Sequence, residues 1–178
     1  MAARVLSQGG IVAYPTEAVF GLGCDPLDAE AVARLLDLKG RAATMGFILL
    51  AGHRKQLDPW MARLRPDLEE RLADAWPGPV TWIVPAARWV PQWLTGGRDT
   101  LAVRVTAHRP AAALALAADT AIVSTSANRS GKAPARTALQ VRRHFGPSLD
   151  AIVPGPVGGL ARPTEIRDLA TGRVLRAA

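Results

Sequence analysis

Two short clusters carry most of this chain's capacity for chemistry. Lys39-Gly40-Arg41 sets two fixed positive charges around a glycine, directly after a helix-like run. Ser124-Thr125-Ser126-Ala127-Asn128 sets three hydroxyls and an amide directly after an apolar, strand-like run. A guanidinium presents a planar fork of donors to phosphate oxygens, whereas an ammonium acts as a compact point charge. Each charge-assisted bond of this kind contributes about 1.5–3 kcal/mol. Together the clusters describe an anion site built from side chains, suited to a nucleotide's phosphates where no Walker loop exists. Each also has a plainer use. Cations after a helix complement its dipole, and Ser and Asn cap turns and helix starts. The residue types alone leave both uses open.

Arg104 is the third candidate. It interrupts Leu101-Ala102-Val103-Arg104-Val105, a strand too apolar to hold an unpartnered charge. A buried arginine implies a carboxylate or a ligand anion opposite it, and a solvent-facing position in the alternation is the other reading. Competing chemistries recede. Gly21-Leu22-Gly23 is followed by Pro26 where a dinucleotide fingerprint needs its third glycine. His53, His108 and His144 lack ligand spacing, and no Gly-x-Ser-x-Gly elbow occurs. The single cysteine, Cys24, excludes an internal disulfide framework and a Cys-rich zinc centre, so no metal ligands are assigned. Trp76 and Trp82 read as packing residues, not as base-stacking platforms.

Positioning these groups requires strands and helices in alternation. Strands are expected around residues 11–14, 47–50, 80–84, 100–105, 121–123 and 151–153, with a closing pair at 165–169 and 173–175. Helices are expected over 28–38 with Asp28 as N-cap, from Asp58-Pro59 to about Trp76 with an interruption near Pro66, over 110–118, and from a Thr137/Gln140 capping pattern to about Phe145. Residues 21–23 read as turn-prone, and Ser124 to Asn128 as a loop beyond its strand. This order predicts an α/β or mixed α+β fold. The 178 residues suit one domain, 1–178, which buries roughly 70% of its unfolded surface. No apolar run approaches the ~20 residues that span a bilayer, and no secretory signal is evident. A cytoplasmic protein without membrane contact is expected. The net charge of +7 comes mostly from dispersed arginines. It fits a nucleic-acid partner, a small phosphorylated substrate, or simple solubility.

Longer motifs add a resemblance. Tyr14-Pro15-Thr16-Glu17-Ala18-Val19-Phe20-Gly21-Leu22-Gly23 resembles the opening motif of the YrdC/TsaC-type threonylcarbamoyl-AMP synthases. Lys39-Gly40-Arg41 resembles that family's Lys-x-Arg, and Ser126-Ala127-Asn128 its Ser-x-Asn. Trp76-Pro77-Gly78-Pro79-Val80-Thr81, the Arg104 strand and Thr164-Glu165-Ile166-Arg167-Asp168 fall in the family's order, so the likeness runs along nearly the whole chain. It implies a twisted mixed sheet with flanking helices, of the YrdC/RibB-like kind, around a large basic cleft. It also implies a reaction in which L-threonine, bicarbonate and ATP give threonylcarbamoyl-AMP and pyrophosphate, for the t6A modification of tRNA. Magnesium is implied with the ATP, and TsaD-type proteins are implied as downstream partners. By the family pattern Lys39 and Arg41 are catalytic, and Lys39, Arg41, Arg104, Ser126 and Asn128 hold the nucleotide. Thr16, Ser124 and Thr164 lie nearer the threonine. Ala18 and Leu50 stand where many members carry threonine and histidine in the amino-acid pocket. The rival expectation is a module that grips tRNA or double-stranded RNA without catalysis.

Overall fold

Alternation along the strands decides how this chain folds. The computed structural model describes residues 1–177. Its strands are β1 (Val12–Pro15), β2 (Phe20–Gly23), β3 (Ile48–Ala51), β4 (Val80–Pro85), β5 (Thr100–Val105), β6 (Ile122–Ser126), β7 (Ala151–Ile152), β8 (Glu165–Asp168) and β9 (Val174–Arg176). They form one twisted, mixed sheet in the order β7-β1-β2-β6-β3-β5-β4-β8-β9. Parallel pairs are β1 with β7, β3 with β5 and β4 with β8; the remaining neighbours are antiparallel.

Successive side chains on a strand face opposite sides, and here both sides are covered. Val12 and Tyr14 of β1, Leu50 of β3 and Ile122 of β6 pack in one cluster with Leu6 and with Ala111, Leu114 and Ala115. These last come from the helices α1 (Ala2–Ser7) and α5 (Arg109–Ala117). The neighbouring residues Ala13, Leu49, Ala51 and Val123 join the larger core on the opposite face. That core includes Val32 and Leu35 of α2 (Ala29–Lys39), Leu68 and Leu72 of α3 (Pro66–Ala75), Leu94 of α4 (Gln92–Thr95), and Val141 and Phe145 of α6 (Ala138–Phe145). The expected fold class is therefore the observed one. Among the described residues no helix is long and apolar enough to cross a membrane.

Local departures have local causes. Residues 21–23, read as turn-prone, belong to strand β2. Its glycines serve a close approach, because a Cβ on Gly23 would lie 2.4 Å from the Val123 carbonyl and 3.0 Å from the Tyr14 ring. Ser124, Thr125 and Ser126 are not a loop but the end of β6, paired with β2 through Thr125 and Ser126. The helix expected from Asp58 is a short 3-10 turn, Asp58–Trp60, and α3 begins only at Pro66. Pro66 starts that helix and does not interrupt one, as its fixed φ and missing N–H suit a first turn. Helices α1 and α4 had no expectation from sequence. At α6, Thr137 accepts from the Gln140 N–H at 3.1 Å, but the Gln140 side chain turns back to the Arg136 N–H at 2.7 Å, one residue before the expected partner.

The Gly23 contact yields a test. Gly23→Ala overpacks the β1–β2–β6 seam against a backbone oxygen, and overpacking of this sort costs about 1–3 kcal/mol. Urea unfolding should show that loss; a variant as stable as the parent would contradict the packing described.

Candidate active site

The helices cover only part of one sheet face, and the uncovered part is the site. On that face Ser124, Ile48, Ala102 and Ile83 form a row across β6, β3, β5 and β4, each paired with the next. Helices α1 and α5 seal the Leu50–Ile122–Tyr14 end of the same face. Beyond them the row opens into a cleft of about 740 Å³, within the usual range for small-molecule sites.

The cleft wall carries Arg41, Arg98, Arg104 and Arg176, and no aspartate or glutamate among the described residues. Arg41 reaches it through the end of α2. Asp28 caps that helix by accepting from the Ala31 N–H at 2.9 Å. Gly40 closes it in the left-handed region, φ 59° and ψ 45°, where a glycine is unstrained. The Gly40 N–H then donates to Asp37 and the Arg41 N–H to Leu36, the double bond of a Schellman ending. This reversal separates the two cations. Arg41 turns into the cleft, donates to the Gly46 carbonyl at 3.0 Å and lies 5.6 Å above the Phe47 ring. Lys39 stays behind the wall. It is 4% exposed, is absent from the cleft lining, and donates to the carbonyls of Ser126 and of Asn128, the latter at 2.7 Å. Burial first, then the charge of Arg41, lowers its amine to about 8.

Ser126 and Asn128 form the wall that Lys39 supports. The Ser126 hydroxyl donates to Asn128 Oδ1 at 2.6 Å, and Asn128 Nδ2 donates to the Arg129 and Lys132 carbonyls. Both line the cleft, together with Thr125. Arg104, Thr164, Ser124 and Thr16 line the same cleft. Arg104 is 4% exposed, donates to the Thr164 hydroxyl, and has the Glu17 carboxylate 3.5 Å away. Of the readings left open for Arg104, the solvent-facing one falls: it is buried, with a carboxylate on one side and the cleft on the other. Thr16 spends its hydroxyl on the Val19 carbonyl at 2.7 Å, closing the turn between β1 and β2.

Seven of the eight residues singled out from sequence thus share one cavity, and Lys39 touches it only through the backbone it holds. The sequence reading missed Arg98 and Arg176. Arg98 donates to the Thr44 and Met45 carbonyls, both at 3.1 Å, and fixes the turn after Arg41. Arg176 donates to the Thr164 carbonyl at 2.7 Å. Burial, then the charges of Arg104 and Arg41, hold its guanidinium below its ordinary value. No motif surrounds either residue; only the pairing of β8 with β9 brings Arg176 in. Of the two departures, Ala18 lines the cleft, whereas Leu50 is wholly buried with Tyr14 and Ile122. Among the described residues no group of three or more His, Cys, Asp or Glu could hold a metal ion. The wall offers hydroxyls but, among the described residues, no carboxylate, so the chain itself supplies no ligand set for magnesium.

Such a wall attracts a polyanion while leaving hydroxyls and an amide to orient it. Known proteins point the same way. Residues 4–178 match the Sua5/YciO/YrdC family model, described as "Telomere recombination". The threonylcarbamoyl-AMP synthase of Halorhodospira halophila is 58% identical over 98% of this chain and 92% of its own. That of Nitrosococcus oceani is 56% identical over 99% and 95%. The crystal structure of P. abyssi Sua5 complexed with L-threonine superposes with a TM-score of 0.92 at 34% identity, over 98% of this chain. The chain spans about half of that longer protein, 52%.

The burial of Lys39 has a measurable consequence. An unfolded lysine titrates near ~10.4, and Lys39 in the fold near about 8. Between these values the unfolded chain binds the proton and the folded one does not, so stability rises with pH. Relative to Lys39→Met, the parent should gain on the order of 1–2 kcal/mol between about pH 7 and pH 9.5 in urea unfolding. Parallel profiles for the two proteins would contradict it.

Proposed function

The chain belongs to the Sua5/YciO/YrdC family, and on that basis we propose that it is an L-threonylcarbamoyladenylate synthase, a nucleotidyltransferase working for the t6A modification of tRNA. The observation that carries this reading is a cleft whose wall, among the described residues, has four arginines and no carboxylate. The reaction joins L-threonine, bicarbonate and ATP into threonylcarbamoyl-AMP, releasing pyrophosphate and water. The threonine amine takes up carbon dioxide from bicarbonate, and the resulting carbamate oxygen attacks the α-phosphorus as the bond to pyrophosphate breaks. Three anionic species must be held together. Two like charges at ~4 Å repel by about 4 kcal/mol at an effective dielectric of 20, so the protein's first task is to offset that repulsion. Little covalent work remains for it, and positioning with electrostatic stabilisation carries phosphoryl-transfer chemistry of this kind.

The side chains divide the work. Arg41, with Ser126 and Asn128 in the same cleft, faces the triphosphate, and Arg176 adds charge within reach of Arg41. Lys39 acts from behind, holding the backbone of Ser126 and Asn128 in place. The sequence reading grouped Arg104 with the nucleotide. Its bond to Thr164, close to Ser124 and Thr16, supports a different role, as the fork that grips the threonine carboxylate. Magnesium, if carried by the phosphates, would offset part of their charge, and the chain's arginines would offset the rest. The product carries a reactive mixed anhydride, which TsaD-type partners would consume in the cytoplasm. A grip on RNA phosphates without catalysis is not favoured, since the full-length relatives carry the names of enzymes.

Pyrophosphate release should require threonine, bicarbonate and ATP together; a rate indifferent to bicarbonate would end the proposal. Loss of one charge-assisted phosphate contact of about 1.5–3 kcal/mol corresponds to roughly 10- to 150-fold. Arg41→Ala and Arg176→Ala should each lose kcat/KM for ATP on that scale while remaining folded.

A further inference from the structure

Among the described residues Glu17 is the carboxylate that pairs with an arginine of the cleft, and nothing so far gives it a role. It is 8% exposed and lies behind the cleft wall, not on it. Its Oε1 accepts from the Thr106 hydroxyl at 2.6 Å, and that hydroxyl in turn accepts from the His108 N–H at 3.1 Å. The Thr106 N–H donates to the Ala51 carbonyl at 3.0 Å, tying it to the edge of β3. The Glu17 backbone is equally fixed. Its carbonyl accepts from the Leu160 N–H at 3.2 Å, and a Cβ on Gly158 would come within 2.6 Å of the same oxygen. The carboxylate is thus clamped from two sides before it meets Arg104. Its Oε2 then sits 3.5 Å from Arg104 Nη2 and makes no hydrogen bond, while Arg104 Nη1 is engaged by Thr164.

We propose that Glu17 is a positioning residue for amino-acid recognition: it holds the Arg104 guanidinium at Nη2 while Thr164 holds it at Nη1, which fixes the orientation in which the remaining N–H hydrogens of the two Nη groups meet a substrate carboxylate in the cleft. This rests on the function proposed above and adds to it the element that aims the carboxylate fork. Arg104 lies in β5 and Thr106 directly follows its last residue, Val105. The same stretch of chain therefore supplies both the cation and the anchor of its counter-ion. A guanidinium cannot lose its proton to escape burial, so its orientation depends on partners that do not move.

Glu17 as mere charge compensation makes the opposite prediction. Removing a negative charge beside a carboxylate site would then leave threonine binding unchanged or tighter. Positioning predicts weaker binding. In Glu17→Gln the amide oxygen still accepts from Thr106, but an amide NH₂ faces the guanidinium and no longer attracts it. Calorimetric Kd and steady-state KM for threonine should rise about tenfold, the loss of roughly one oriented ionic contact. KM for ATP should stay within about twofold and the melting temperature near that of the parent. Because Glu17→Gln could unfold the seam, Thr106 provides a second handle. Thr106→Ser keeps the hydroxyl and should bind threonine normally; Thr106→Val removes it and should move threonine affinity in the same direction as Glu17→Gln. Threonine affinity in a folded Glu17→Gln equal to or above the parent's would overturn the proposal, as would identical affinities for the two Thr106 variants. Failure of the functional reading looks different, because it would show as a parent protein that binds threonine yet releases no pyrophosphate.

Discussion

Like charges must be held close without being neutralised, and that constraint organises the whole site. Carboxylates would hold the arginines easily, but they would also cancel the field that an anionic substrate needs. The structure uses backbone oxygens instead. Arg41 is held by the Gly46 carbonyl, Arg98 by those of Thr44 and Met45, Arg176 by that of Thr164, and Lys39 by those of Ser126 and Asn128. A carbonyl carries a partial charge, so it orients a cation and leaves most of the charge available. Among the described residues only Arg104 of the four has a carboxylate beside it, and it is the most deeply buried of them. That is where an unpartnered ion would cost most.

This logic explains why Lys39 and Arg41, one glycine apart, have separate tasks. A regular helix would have carried both side chains onward around its axis. The left-handed turn at Gly40 sends one inward beneath β6 and the other across the face of the sheet. An ammonium suits the inner place, since it bonds two carbonyls as a compact donor and its proton affinity yields to burial. A guanidinium suits the outer place, since its fork stays charged while it bonds Gly46 and presents its remaining edge to the cleft.

The sequence was legible where local signals and tertiary demands agreed. The capped, glycine-stopped α2, the apolar β3 and β4, and the Thr137 cap of α6 all came through in this way. It was least legible where a residue's local preference was overruled at long range. Gly21 and Gly23 signal a turn locally, yet they form a strand because Tyr14 and the Val123 carbonyl occupy the space a side chain would need. Ser124 to Ser126 prefer loops, but β2 pairs with them on one side and β3 with Ser124 on the other. Among site residues, motif spacing found those in dense clusters. It could not find Arg98 and Arg176, isolated arginines that differ from their surface counterparts only in what the sheet order places next to them.

The cleft wall is also braced from a distance. Gln140 of α6 turns its side chain back to the Arg136 N–H, which fixes the residue just ahead of the helix cap. The Arg136 guanidinium then donates to the Leu160 and Ala161 carbonyls, each at 3.2 Å. That segment in turn lies on the first motif, with the Gly158 N–H on the Thr16 carbonyl at 2.9 Å and the Leu160 N–H on that of Glu17. Each bond is individually modest, about 0.5–1.5 kcal/mol net. Their value lies in order, because a helix cap far along the chain ends up fixing the backbone that carries Thr16 and the counter-ion of Arg104. A site made of mutually repelling groups has no cohesion of its own. Its geometry must be imposed by the hydrogen-bonded frame outside it, and the connection from α6 through the 158–161 segment to the turn between β1 and β2 is such a frame.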